Sequence, residues 1–233
     1  MSADASLQWR LMALAKTLGC DELGFGHVPR SVLAKEVPFK GEVYYVSLLK
    51  AFGEDLPEQK LEEHWRRLAI LLESIAQQLS RHIASEGYKA LPLPVDVRLC
   101  PNCHYHYSGF CHLFEMPVMV KGRNSILLFD HRRAAVEAGL GFIGKSGLLI
   151  SPKYGPRVVV TSLITNAPFQ PTSKLLMPYP CETCDECVKA CPVGAITNEG
   201  IDYSKCLNNS GSTRCWMCLL ACPIGRKKQP PPK

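Results

Sequence analysis

Eight of the twelve cysteines fall within residues 181–222, at spacings that suit soft-metal chemistry. Cys181-x-x-Cys184-x-x-Cys187-x-x-x-Cys191-Pro192 is a run in which three close thiolates can wrap one iron–sulfur cluster while the fourth reaches a neighbouring one. Cys215-x-x-Cys218-x-x-x-Cys222-Pro223 repeats its second half 31 residues later, and Cys206, nine residues before Cys215, can lead the second run. Following that crossover, one 4Fe-4S cluster is expected on Cys181, Cys184, Cys187 and Cys222, and a second on Cys206, Cys215, Cys218 and Cys191. Zinc also accepts four thiolates, but zinc ribbons space two C-x-x-C pairs without the third cysteine and the trailing Cys-Pro. Two such clusters would make the chain a one-electron conduit.

A second group gathers Cys100, Cys103, His104, His106, Cys111 and His112. Cys100, Cys103 and Cys111 with one imidazole would suit structural zinc; the alternative is a loop of surface histidines and half-buried thiols. Tyr105 and Tyr107 in the same stretch could line a pocket. Cys20 reads as a small buried residue at a helix end.

Gly139-x-Gly141-x-x-Gly144-Lys145-Ser146 satisfies both the dinucleotide pattern and the phosphate-loop pattern. Both motifs need a strand before the glycines and a helix after them, because the helix N-terminus meets the phosphates. Here the order is reversed: residues 132–138 are helix-like, and Gly147 to Pro152 is too short and proline-limited for a helix. The glycines are better read as permitting close backbone approach.

The elements that must position these groups follow from periodicity. Leu7, Leu11, Leu14, Ala15 and Leu18 mark a helix ending at Gly19, and residues 22–28 and 43–52 read as strands. Residues 58–84 keep a 3.6-residue period in the longest helix, which Gly87 stops. Strands are expected at 88–93, 125–129, 148–151 and 157–165, with a short helix at 132–138. This alternation gives an α/β core over residues 1–175. Pro168, Pro171, Pro178 and Pro180 then lead into a cysteine-rich domain at 176–233, ending in a basic, proline-rich tail.

With 46% hydrophobic residues the 233-residue chain can bury a core, and no long apolar run or export signal appears, so a cytoplasmic protein without a membrane partner is expected. In a reducing compartment, clustered cysteines read as metal or redox sites before disulfides. The formal charge of +6 counts every cysteine as neutral. Two thiolate-bound clusters at about −2 each bring it to roughly +2, so the basic balance says little about partners.

The stretch His131-Arg132-Arg133-Ala134-Ala135-Val136-Glu137-Ala138-Gly139-Leu140-Gly141-Phe142-Ile143-Gly144-Lys145-Ser146-Gly147, continuing to Tyr154-Gly155-Pro156-Arg157 and the double cysteine run, resembles the core of the epoxyqueuosine reductase and reductive dehalogenase superfamily. The resemblance covers roughly residues 125–223. It implies a nitroreductase-like, corrinoid-binding core followed by a ferredoxin-like domain with two 4Fe-4S clusters. The implied cofactor is a cobalamin bound base-off against Gly139, Gly141, Gly144, Lys145, Ser146, Gly147, Ser151, Gly155 and Arg157. The implied activity is reduction of a substrate by that corrinoid with electrons from the clusters, supplied by a donor such as ferredoxin or flavodoxin. The alternative is a non-catalytic partner that reduces or hands on a corrinoid, and a further one is a ferredoxin module on a flavin-binding domain.

Asp130, His131, Tyr105 and Lys145 are the candidates for proton donation, His131 because imidazole titrates near neutrality, although it could simply flank the helix that follows. Epoxyqueuosine reductases continue into helical repeats that hold transfer RNA, whereas this sequence stops at Lys233. A short form is therefore expected, acting on a small molecule or modified nucleoside rather than on nucleic acid.

Overall fold

The computed structural model describes residues 5–28, 41–53, 56–95, 110–111, 116–117, 130–172, 180–210 and 214–226. The chain opens with helix α1 (Ala5–Thr17), which buries Leu7, Leu11 and Ala15 at helical spacing. It ends where the Cys20 N–H reaches back to the Ala15 carbonyl past Gly19, a six-to-one closure. Strands β1 (Glu22–Val28) and β2 (Val43–Ala51) pair antiparallel from Glu22↔Leu49 to Val28↔Val43. Helix α2 (Glu58–Ser85) follows, closed in the same way by Tyr88 N–H on the Ile83 carbonyl, and leads to β3 (Ala90–Pro92).

Two short strands, β4 (Phe110–Cys111) and β5 (Met116–Pro117), pair with each other. Helix α3 (His131–Glu137) precedes a small hairpin of β6 (Phe142–Ile143) and β7 (Leu149–Ile150), and β8 (Val158–Thr165) completes the core. The cysteine-rich segment holds α4 (Glu186–Ala190), a hairpin of β9 (Ile196–Thr197) and β10 (Gly200–Ile201), α5 (Tyr203–Ser210) and α6 (Met217–Ala221).

The main sheet runs in the order β1-β2-β8-β3, and each pairing is antiparallel. The expected mixture of helices and strands is present, but β8 is inserted between β2 and β3. Those two strands are parallel to each other across it, with α2 as their crossover, a split βαβ arrangement. Alternation along the sequence records the crossover helix and not the strand placed between its ends.

Side-chain alternation along β2 divides the core. Val46 and Leu48 face α1 and α2 in one cluster with Leu7, Leu11, Phe25, Leu72 and Leu79. Val43, Tyr45 and Leu49 face the opposite way, with Ala134, Ala135 and Ala138 of α3 and with Leu149. The glycine turn and its hairpin therefore lie on the α3 side of the sheet. Trp216 and Leu219 at α6 join the first cluster, so the cysteine-rich segment is packed into the same core. Among the described residues no helix is long and apolar enough to cross a membrane.

Candidate metal centre

The cysteines fall into two neighbourhoods that cross the sequence order. The Cys222 thiol is pushed up by burial and by Cys181 and Cys184, against the Ile224 N–H and the Arg157 cation. Cys187 is raised by burial and then by Cys181 and Cys184. Those four thiols form set one. Cys206 is raised by burial, then by Cys215 and Cys191; Cys218 is pushed up to about 12 by burial, then by Cys215, Cys206 and Cys187. Cys191, Cys206, Cys215 and Cys218 form set two, and Cys218 with Cys187 brings the sets side by side. Among the described residues no three or more such donors close on a point for a single ion.

The crossing follows from how α4 and α6 lie together. The start of α4, after Cys181 and Cys184, meets the end of α6, before Cys222, and the end of α4 meets the residues that lead α6. Burial raises the Cys191 thiol, but the N–H groups of Val193, Ala195, Ile196 and Gly194 outweigh it and hold the thiol below its usual value. The Ala195 N–H lies 3.2 Å from Cys191 Sγ. Successive amides turned toward one atom make an anion-binding nest, which suits a thiolate ligand. Both runs continue as Cys-Pro-x-Gly, through Gly194 and Gly225, and both glycines have positive φ. That glycine repeat was available in the sequence as a sign of the second turn.

The glycine turn sits directly against set one. A Cβ on Gly144 would stand 3.4 Å from Cys181 Sγ and 3.0 Å from Ile150. Lys145 Nζ donates to Asp185 Oδ1 and Asn198 Oδ1, both at 2.8 Å, and to the carbonyls of Cys184 at 3.2 Å and Glu182 at 3.4 Å. The Lys145 ammonium beside Asp185 holds that carboxyl below the usual carboxylate range. Arg157, buried, donates from Nη1 to the Ile224 carbonyl at 3.1 Å and from Nη2 to the Cys222 carbonyl at 3.2 Å. Beside it two glycines cross: a Cβ on Gly155 would lie 1.9 Å from the Ile224 carbonyl oxygen, and one on Gly225 would lie 2.1 Å from the Tyr154 carbonyl carbon. Only residues without side chains allow that approach at those positive φ values.

The residues expected to line a corrinoid are placed as follows. Gly141 packs on the Ile150 carbonyl and Gly147 on Tyr203 and Ile201, while Gly144, Lys145, Gly155 and Arg157 meet the cysteine-rich segment. Ser146 is buried, and Ser151 is buried with its hydroxyl accepting from the Lys153 and Tyr154 amides. Each of these residues also has a contact within the chain.

Gly139 ends α3, where the Leu140 N–H closes on the Ala135 carbonyl, and it borders a cleft of about 450 Å³ lined also by Met12, Lys16, Cys20, Glu22 and Lys153. Cys20 is buried as expected, its thiol pushed up to about 11 by burial while it donates to the Glu22 carbonyl at 3.1 Å. The order helix, glycine turn, strand is the reverse of a nucleotide loop, as the sequence indicates.

The proton-donor candidates have structural partners. Asp130 caps α3, accepting from the Arg132 and Arg133 amides at 3.1 and 3.2 Å. The His131 Nε2–H donates to the Pro94 carbonyl at 3.0 Å, and burial lowers the imidazole pKa to about 4, so near neutrality the ring is uncharged. Tyr105, Cys100 and Cys103, the histidines at 104, 106 and 112, and the strand expected at 125–129 lie outside the described residues, as does the Cys111 side chain.

Sequence reasoning missed Arg214. It stacks 3.7 Å over the Trp65 ring of α2 and donates to Glu62 Oε1 at 2.9 Å, anchoring the chain just before Cys215. The signal was absent because the partners lie some 150 residues apart.

No family model matches the chain. The chain is 36% identical to an epoxyqueuosine reductase of Listeria monocytogenes over 40% of this chain and 28% of that protein. It is 37% identical to the tetrachloroethene reductive dehalogenase of Sulfurospirillum multivorans over 39% of this chain and 22% of that one. A solved reductive dehalogenase, described with a mechanism for B12-dependent dehalogenation, superposes with a TM-score of 0.67 at 20% identity, over 94% of this chain and 32% of its own. A solved epoxyqueuosine reductase in complex with an epoxyqueuosine-modified tRNA stem loop gives a TM-score of 0.61 at 19% identity, over 94% of this chain and 65% of its own. Over about two fifths of its length the chain is similar in sequence to epoxyqueuosine reductases and reductive dehalogenases, and it shares their fold. The chain spans less than a third of the length of the curated relatives it matches.

Proposed function

We propose that the protein is an iron–sulfur oxidoreductase of the B12-dependent kind, with a nitroreductase-like core at 1–175 and a ferredoxin-like domain at 176–233 holding two 4Fe-4S clusters. The observation that carries this reading is the sorting of eight cysteines into two crossed sets, with Cys187 of one near enough to Cys218 of the other to raise its thiol. Two Cys-x-x-Cys-x-x-x-Cys-Pro runs, the first led by a further Cys-x-x, favour clusters over mononuclear zinc. Bound clusters supply one-electron transfer, and a low-valent corrinoid supplies the reduction of a substrate.

The chain's own residues do the positioning. The Cys-Pro-x-Gly turn after Cys191 directs amides at that sulfur, Arg214 fixes the approach to Cys215 on α2, and the glycine turn seats set one against the core.

The superfamily names two substrate classes, a halogenated organic molecule and a modified nucleoside in RNA. A second reading, an electron-transfer partner that reduces a corrinoid held elsewhere, draws support from the glycine turn being taken up by the chain itself. Anaerobic reconstitution with iron and sulfide, addition of hydroxocobalamin and desalting separates the two. Retained cobalt with a base-off cobalt(II) resonance supports the enzyme. Iron retained without cobalt supports the partner protein, and absence of iron overturns both.

A further inference from the structure

The lysine of the Gly-Lys-Ser sequence and the arginine that closes the following loop do not stand before a helix, as a nucleotide loop would require. Both instead reach backbone carbonyls of set one. Lys145 grips the first half of the set at Glu182 and Cys184, and Arg157 grips its last member at Cys222, together with Ile224. These two halves lie some 40 residues apart in sequence, yet they must stand together for four thiolates to surround one cluster. The Lys145 side chain is 8% exposed and Arg157 is 8% exposed, so water and salt screen neither charge well, although the Asp185 carboxylate at 2.8 Å offsets part of the Lys145 charge. Lys145 meets four acceptors with three N–H groups, and its partners come from the cysteine loop and from Asn198 before β10. Set two has no comparable pair: its described anchors are the stacked Arg214 and the amide nest at Cys191.

We propose that Lys145 and Arg157 form a two-cation clamp by which the glycine turn closes the set-one loops and stabilises the negative charge that an added electron places there. This rests on the cluster reading. Both are positioning residues, since they act through the backbone of the ligand loops. A buried cation near a thiolate-bound cluster favours its more negative, reduced form, so the clamp raises the midpoint potential of one cluster and leaves the other nearly unchanged.

The test uses the full chain reconstituted anaerobically as wild type, Lys145→Met, Lys145→Arg, Arg157→Met and Arg157→Lys. Each is titrated with dithionite through redox dyes while the two paramagnetic signals are followed, and iron loss to a chelator is timed. The expected result is that Lys145→Met and Arg157→Met lower the midpoint of the signal that Cys222→Ala abolishes and release its iron several-fold faster. Lys145→Arg restores the midpoint, which a purely structural role would not require. If the methionine variants do not fold, the charge-conserving pair is read instead and is expected to keep the midpoint while losing iron faster. Unmoved midpoints and iron release in every variant that folds, or a change confined to the signal that Cys215→Ala abolishes, would overturn the clamp alone. A wild-type chain that binds no iron would overturn the cluster reading and the clamp with it.

Discussion

Replacing Cys187 or Cys218 by alanine should remove one cluster each, about half the iron in a colorimetric assay of the reconstituted protein. Undiminished iron in both variants would count against the two sets. His131 makes a different prediction. Its folded-state pKa of about 4 lies below the ordinary imidazole value of 6.5, so the unfolded chain binds more protons between those limits. Stability is fully present above pH 6.5 and falls as pH drops toward 4, by on the order of 2 kcal/mol for a partly enclosed ring. Urea unfolding of wild type and His131→Gln across that window should show the slope shrinking in the variant; equal slopes would remove His131 as its source. The cysteine runs were legible because their spacing is local. The contacts of Lys145 and Arg157 were not, because their carbonyl partners lie 37 to 67 residues away and no local pattern encodes them.

Among the elements, α2 should carry much of the core energy. Leu72 is fully buried between the helix and the sheet, and Leu72→Ala should cost about 2–5 kcal/mol in urea unfolding while iron per folded chain stays unchanged. Gly225→Ala should act oppositely. Its Cβ would meet the Tyr154 backbone at 2.1 Å, so the crossing at Gly155 must open and the Arg157 bonds to Cys222 and Ile224 with it. Iron at set one should become labile while set two is kept; equal lability of both would show that the crossing serves the whole segment. The helices and long strands were readable because their burial is periodic, as in the Leu61 to Ile83 stripe of α2. The insertion of β8 between β2 and β3 was not, since strand order depends on pairings remote in sequence. The short helices around the cysteines were likewise hidden, because α4 and α6 are five residues each and their composition is set by ligands.

For the whole molecule, the cysteine-rich segment is built into the core. Trp216 and Leu219 enter the apolar cluster beneath α2, Arg214 stacks on Trp65, and the glycine turn grips the set-one loops from the α3 side of the sheet. Both cysteine sets are thereby held by packing on elements of the core. The central claim is the crossed assignment of eight thiolates to two clusters. Paramagnetic resonance of dithionite-reduced Cys181→Ala, Cys222→Ala, Cys191→Ala and Cys215→Ala proteins tests it most directly. Cys181→Ala and Cys222→Ala should lose one and the same signal, and Cys191→Ala and Cys215→Ala the other. Loss of one signal by Cys181→Ala and Cys191→Ala together, with the other lost by Cys215→Ala and Cys222→Ala, would contradict the crossing.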